Sequence, residues 1–434
     1  MSQPGVSNGA ESIANAWWPA PTAARPVDAT VALPGSKSQT NRALPLAALA
    51  DSPSVIRRAL RSRDTDLMAS ALRALGVAVD DSGADWTVTP GLLRGQADID
   101  CGLAGTVARF AVALASLATG TVRFDGDPRA RQRPLRPLVD GLRQLGVTVD
   151  DDGRGTLPLT ITGTGSVRGG DVVIDSSESS QFISALLLIA PNAHDETVLR
   201  HRGAALPSEP HIAMTVSMLR DRGIAIDTTD YGTWRVTPGT IAGGSIDIEP
   251  DLSNAGPFLA AAMVTGGSIH IAGWPQRTTQ PGDALRGLLT DMGATVTSDE
   301  TGLTLQGAAT IHGVDVDLRE VSELSPTIAA LACLADGPST LRGIGHIRGH
   351  ETDRLAALAN EINGLGGDVT ETDDGLIIKP KPLRGGLFGT YDDHRLATTA
   401  AVLGLVVPGV LVENIATTAK TMPTFVDLWE SILV

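Results

Sequence analysis

The sequence predicts an α/β protein of two similar domains that share one sixfold repeat, and three observations lead there. A chain of 434 residues with 42% hydrophobic content is too long for one ordinary core and ample for two of about 200 residues each. The phrase LRALGVAVDDSG ending at Gly83 returns as LRQLGVTVDDDG ending at Gly153 and LRDRGIAIDTTDYG ending at Gly232. Looser copies, DMGATVTSDETG and NGLGGDVTETDDG, end at Gly302 and Gly375, so the period is roughly 70 residues. Six apolar, alanine-rich segments follow a second, offset series, each behind a polar cluster suited to start a helix.

Each copy of the phrase reads as a helix, a short strand, an acidic turn and a second strand, because Asp and Gly accept tight turn geometry between alternating apolar runs. The offset segments are SKSQTNRALPLAALA, LAGTVARFAVALASLA, SSQFISALLLIA, DLSNAGPFLAAAMVTGG, SELSPTIAALACLA and DDHRLATTAAVLGLV. Their nearly continuous apolar character predicts helices buried on all sides. The last copy ends at Val434 inside the helix VDLWESIL, before its hairpin, and the N-terminal strand around Val27 to Leu33 is expected to complete it. That closure brings both chain ends into one domain, residues 1–33 plus 247–434, and leaves 34–246 as an inserted domain with two crossovers between them. A solenoid of six stacked repeats fits the periodicity equally well. The polar chemistry at each helix start favours a shared site instead.

A net charge of −15 argues against binding nucleic acid or an anionic membrane, which needs a broad positive field. Cys101 and Cys333 stand far apart with no CxxC or Cys/His spacing, which excludes a disulfide framework and a structural zinc and predicts plain packing for both. Met1 to Ala24 lacks the charged and apolar regions of a signal peptide, and no run of roughly 20 apolar residues is present to cross a bilayer. A soluble, cytoplasmic protein is expected. Met1 to about Pro26 is Ala/Pro/Ser-rich with Trp17 and Trp18, and the sequence assigns it no function.

A helix N-terminus presents unpaired N–H groups and about half a positive charge, so several converging starts create a positive focus inside an acidic protein. Lys37 and Arg42 flank one start, Arg109 another, His394 and Arg395 a third, while Arg129, Arg354 and Lys420 lie in turn-like surroundings. Arginine offers a fork for phosphate or carboxylate and lysine a mobile charge or proton. LPGSKSQTNR lacks the GxxxxGK[ST] spacing of a P-loop, and in RGIGHIRG the third glycine, Gly349, falls one position late for a dinucleotide fingerprint.

Seven motifs in order then resemble one family, the 5-enolpyruvylshikimate-3-phosphate synthases. They are LPGSKSQTNRAL (Leu33–Leu44), AGTVARF (Ala104–Phe110), GDPRARQRP (Gly126–Pro134), SSQF (Ser179–Phe182), HETDRL (His350–Leu355), DDHRLA (Asp392–Ala397) and AKTMPTF (Ala419–Phe425). The resemblance spans nearly the whole chain. It implies two domains, each of three βαβαββ units with buried parallel helices and outer sheets, closing over substrate in the cleft between them. It also implies transfer of the enolpyruvyl group of phosphoenolpyruvate to the 5-hydroxyl of shikimate 3-phosphate.

By the same resemblance the shikimate 3-phosphate site comprises Ser38, Arg42, Ser179, Ser180, Gln181, Ser208, Glu323 and His350. The phosphoenolpyruvate site comprises Lys37, Gly105, Arg129, Gln181, Arg354, Arg395 and Lys420, with Glu351 near the reacting methylene. Glu323 is expected to act as base toward the hydroxyl, and Glu351 and Lys37 to move the carbon proton. Taken from the residues alone, Glu323, Ser179 and Ser180 read equally as helix caps, and Asp251 as a cap or hinge. No cofactor, metal, nucleic-acid or membrane partner is expected, and the protein is expected to be a monomer. Glyphosate is the inhibitor the family implies.

Several positions depart from the family pattern: Leu103 where Asn is common, Phe110 for Pro, His211 for Tyr, Glu323 for Asp and His350 for Lys. A histidine at 350 is expected to titrate near neutrality where lysine would stay charged. The nearest alternative is the enolpyruvyl transferase of UDP-N-acetylglucosamine, which carries a reactive cysteine where GDPRARQRP has none. The alternative from another class is a noncatalytic repeat protein that binds a partner in its clefts.

Overall fold

The acidic phrases fold as hairpins. In the computed structural model, which describes residues 17–434, Ala78–Asp80 pairs antiparallel with Trp86–Thr89, and Thr148–Asp150 with Leu159–Thr164. The later copies do the same: Ile226–Asp227 with Thr233–Val236, Thr295–Ser298 with Gly302–Gln306, and Asp368–Glu371 with Leu376–Lys379. The turn aspartates work as the composition suggests: Asp80, Asp227 and Asp299 each accept a backbone N–H two residues on, at 2.8–3.0 Å.

Each hairpin extends into a four-stranded sheet of the same order, a parallel leading strand followed by three antiparallel ones. Two leading strands come from across a crossover. Asp28–Val31 runs parallel to Ser268–Ala272, and Gly244–Asp247 returns to run parallel to Ser54–Arg57. The two crossing segments lie side by side, with Ser36 N–H on the Glu249 carbonyl at 2.8 Å and Asp251 N–H on the Pro34 carbonyl at 2.9 Å. Gly35 is required there, since a Cβ would stand 2.1 Å from the Arg58 carbonyl oxygen.

One strand assignment differs from the sequence expectation. The strand around Val27 to Leu33 does not complete the last repeat; it leads the sheet of Ser268–Ala272. The last repeat's sheet, Gly386–Phe388 beside Val410–Val412, is finished instead by Trp18–Pro19, paired antiparallel with Leu411 and Val412. A parallel leading strand and an antiparallel finishing strand are both short apolar runs in sequence, and only the register separates them.

The six alanine-rich segments are helical: Lys37–Ala48 (α1), Val107–Ala111 running on into Val112–Ala115 (α2), Gln181–Ile189 (α3), Leu252–Thr265 (α4), Ser325–Ala332 (α5) and His394–Gly404 (α6). They are buried almost throughout. Apolar side chains divide into two cores, one spanning Ala43 to Ile248, the other combining Ala20 to Val31 with Leu252 to Ile432. Within each core all three helices touch one another, α1 with α3 as well as with α2, and α4 with α6 as well as with α5. Stacked solenoid repeats would touch only their neighbours in sequence.

Candidate active site

All six helix starts open on one cleft of about 400 Å³ between the two cores. Its walls carry Lys37, Ser38, Arg42, Gly105, Ser179, Ser180, Gln181 and Ser208 from one side. Glu323, His350, Glu351, Arg354 and Arg395 face them from the other. Of the residues proposed from sequence, Arg129 and Lys420 stand behind this wall: Arg129 Nε donates to the Glu351 carbonyl at 3.2 Å, and Lys420 Nζ to Glu351 Oε1 at 2.7 Å.

Two aspartates set the helix starts. Asp251 caps α4 by accepting Asn254 N–H at 3.1 Å, and its other oxygen accepts Lys37 N–H at 3.0 Å, so one carboxylate ties the start of α1 to that of α4. Asp393 caps α6 through Arg395 N–H and takes the Arg354 guanidinium in a fork, Nε at 2.7 Å and Nη2 at 3.1 Å. Glu323 is not a cap, because Leu324 holds that position before α5. Its carboxylate accepts the Ser253 hydroxyl at 3.3 Å and lies 3.7 Å from His211 Nε2. Ser208 sits in the left-handed region at φ 52°, strained for a side-chain-bearing residue. Its N–H on the Arg319 carbonyl at 3.0 Å joins the two walls.

The electrostatics separate the acids. Burial raises Glu323 above the usual carboxylate range, against the pull of Arg395 and Arg354, which suits a group that accepts a proton. Burial acts the same way on Glu351, but Lys420, then Arg354 and Arg133, outweigh it and hold that carboxyl well below its ordinary value. Arg354 keeps its charge despite burial because Asp393 and Glu351 grip it. Arg42 is different: burial pulls it down to about 9, it lies over the Phe110 ring at 5.2 Å, and it donates to Thr215 Oγ1, the Ser38 and His211 carbonyls and Ser184 Oγ. Lys37 Nζ pairs with Asp64 at 3.3 Å.

His350 corrects an expectation. Burial, reinforced by the positive charge of Arg354, pushes it well below the ordinary histidine value, so it does not titrate near neutrality. Arg354 Nη1 donates to its Nδ1 at 3.3 Å, which places the single ring proton on Nε2. Burial depresses three more histidines of the cleft, His211 to about 3, His346 to about 4, and His394 well below its ordinary value. Cys101 and Cys333 are buried thiols pushed up to about 12 by burial.

The sequence reading passed over Ser322, His346 and Arg133, which also line the cleft. Ser322 Oγ bonds His346 Nε2 at 2.8 Å. Arg133 is one of three arginines within GDPRARQRP, and nothing in sequence separates it from Arg131, which the fold pairs with Asp125. Leu103, unable to bond an anion through its side chain, turns its carbonyl toward Arg133 Nη1 at 3.5 Å. Among the described residues no group of three or more His, Cys, Asp and Glu side chains is placed to hold a metal ion, and no helix is long and apolar enough to cross a membrane.

The chain was compared with known proteins on this basis. The family profile of EPSP synthase (3-phosphoshikimate 1-carboxyvinyltransferase) matches residues 21–429. A 3-phosphoshikimate 1-carboxyvinyltransferase of Kocuria rhizophila is 55% identical over 445 aligned positions, covering 100% of this chain and 99% of the relative. The solved EPSP synthase of Acinetobacter baumannii superposes with a TM-score of 0.80 at 24% identity, over 96% of this chain and 97% of that one. The enolpyruvyl transferase NikO from Streptomyces tendae superposes with a TM-score of 0.75 at 19% identity, over 95% and 96%. At those identities the two structures speak for the fold alone, the two-domain enolpyruvyl transferase fold.

Proposed function

The chain belongs to the EPSP synthase (3-phosphoshikimate 1-carboxyvinyltransferase) family, and from that membership we infer its reaction, transfer of the enolpyruvyl group of phosphoenolpyruvate to the 5-hydroxyl of shikimate 3-phosphate with release of phosphate. This is a transferase of the shikimate pathway. The observation that supports the site assignment best is the opposition of Glu323, with its raised affinity for a proton, to the Lys420–Glu351–Arg354 network across one closed cleft.

In this reading Glu323 takes the proton of the attacking hydroxyl. Glu351, held as an anion, must first receive any proton it moves, and Lys420 at 2.7 Å is the donor bonded to it; Lys37 is the other candidate. Protonation of the phosphoenolpyruvate methylene makes the neighbouring carbon electrophilic, the 5-oxygen adds to it, and a tetrahedral ketal phosphate results. Loss of the proton from the new methyl group then expels phosphate. Arg129, Arg354, Arg395 and Lys420 would hold the phosphate and carboxylate of phosphoenolpyruvate, with Gly105 and Gln181 beside them. Ser38, Arg42, Ser179, Ser180, Gln181, Ser208 and His350 would hold shikimate 3-phosphate, with His350 contributing a neutral N–H.

The two cores support a division into an inserted domain, 34–246, and a discontinuous one joining 247–434 to the N-terminal residues up to 33. These would move about the paired crossovers as a monomer in the cytoplasm. The deciding assay is phosphate release with phosphoenolpyruvate and shikimate 3-phosphate, run beside phosphoenolpyruvate and UDP-N-acetylglucosamine. Release only in the first supports the reading, release only in the second transfers the site to the nucleotide sugar, and release in neither sinks both.

A further inference from the structure

We propose that Arg133 binds an anionic end of phosphoenolpyruvate directly, as one arm of a two-arginine clamp with Arg109, and that Gly105 is glycine because it leaves room for this clamp. The proposal rests on the reaction inferred above. Arg133 lines the cleft, yet among the described residues no carboxylate lies within 4 Å of it. Its one protein contact is the 3.5 Å approach of Nη1 to the Leu103 carbonyl, and its Nε is buried without a partner. Its neighbours are engaged elsewhere: Arg129 with Gln132 and the Glu351 carbonyl, Arg131 with Asp125, and Arg136 toward Asp151.

Arg109 stands beside it, only 3% exposed. It too lacks a carboxylate partner. Nη1 donates to the Gly105 carbonyl at 3.1 Å, Nη2 reaches the Pro134 carbonyl at 3.5 Å, and its buried Nε has no partner. The two guanidinium groups repel each other strongly enough that Arg133, after burial, is the next influence lowering the Arg109 pKa. Two unneutralised cations packed together at a cleft wall cost folding free energy unless an anion sits against them. Gly105 lies at the point of contact. A Cβ there would stand 2.9 Å from both terminal nitrogens of Arg133 and 3.0 Å from Arg109 Nη1, so any side chain displaces the fork from the cleft. The shared chemistry is a phosphate or a carboxylate; both are on phosphoenolpyruvate, and both match a planar bidentate donor.

The test combines Arg133→Gln, Arg133→Lys and Gly105→Ala. Losing a charged hydrogen-bonding pair predicts that Arg133→Gln raises the KM for phosphoenolpyruvate about 10- to 100-fold while the KM for shikimate 3-phosphate stays within about threefold. Arg133→Lys recovers part of the loss, because it restores the charge without the fork. If Gly105→Ala acts by moving Arg133, its effect on that KM shrinks in the Arg133→Gln background, and this sub-additivity is a readout that general loosening of the fold would not give. Calorimetric titration of the same variants with inorganic phosphate assigns the anion: weakened binding of both ligands points to the phosphoryl end, weakened phosphoenolpyruvate binding alone to the carboxylate. Full additivity, or phosphoenolpyruvate binding unchanged within about threefold in Arg133→Gln, overturns the proposal. Absence of phosphate release by the unmodified enzyme would instead overturn the reaction assignment, and the calorimetric comparison would still report on the clamp.

Discussion

Replacing Glu323 by Gln should remove most of the activity and none of the stability, because the same burial that suits this carboxylate to accept a proton makes its charge a liability to the fold. The side chain keeps its shape, and the Ser253 hydroxyl that donates to Glu323 at 3.3 Å can donate equally to an amide oxygen. What disappears is the basic lone pair. A positioned general base is worth about 10²- to 10⁴-fold, so the activation barrier should rise by about 2.7–5.5 kcal/mol.

The stability effect follows from linkage. Burial raises the folded-state pKa of Glu323 above its unfolded value. The folded protein therefore binds this proton more tightly than the unfolded chain does. Stability is lost as pH rises from the unfolded value, about 4.3, through the folded one, and the deficit persists at neutral pH. Glutamine carries no such deficit. Glu323→Gln should melt no lower than the parent near pH 7, and any gain should vanish toward about pH 4. The assays are phosphate release under saturating substrates and thermal melting from about pH 4 to 8. Turnover retained within about threefold, or a lower melting temperature near pH 7, would refute the reasoning.

Other consequences are equally direct. His211, His346, His350 and His394 should show no NMR titration between about pH 5.5 and 8, since burial holds all four neutral; a midpoint near 6.5 for any of them would contradict the structure. Because their folded pKa values are depressed, each contributes stability that is lost as pH falls below about 6.5, by up to about 1.4 kcal/mol per pH unit, measurable as a falling denaturation midpoint. Arg354→Met leaves Asp393 and Glu351 without their cation and should cost about 3–5 kcal/mol in denaturant unfolding, with a cost under about 1 kcal/mol contradicting the buried network. Deleting residues 1–19 strips the antiparallel partner from Leu411 and Val412 and should destabilise the protein by about 1–3 kcal/mol in the same experiment; an unchanged midpoint would mean the strand is ornamental.

The repeat was legible because its signals are local. An Asp/Gly turn between alternating runs and an apolar segment behind a polar cap each specify structure within a dozen residues, and the five hairpins and six buried helices follow. Strand exchange across the crossovers was not legible, because Asp28–Val31 and Trp18–Pro19 carry no local mark of which sheet each will join. At the site, motif order brought Lys37, Glu323, Glu351 and Arg354 to one cleft, but a motif records residue type and not partnership. Arg131 and Arg133 look alike until Asp125 claims the first and nothing claims the second. His350 looks like a neutral-pH switch until burial and Arg354 are known.

The cleft thus holds two kinds of cation, and the difference bears on how closure and binding are coupled. Arg354 and Lys420 are matched to Asp393 and Glu351 before any ligand arrives, so their desolvation is already offset and they provide fixed geometry. Arg42, Arg109 and Arg395 have guanidinium pKa values lowered by burial, which means that closing the cleft around them works against their charge. Of these, Arg109 and its neighbour Arg133 have no carboxylate partner. An anion against those two groups removes an unfavourable feature of the closed form and has no counterpart in an open one. It therefore binds the closed state more tightly by that difference, and a ligand can shift a conformational equilibrium only to the extent of such a difference. An acidic protein can in this way make closure depend on phosphate or carboxylate without a positive surface. The dependence lies in the unpaired arginines, and the paired ones set where the substrate rests.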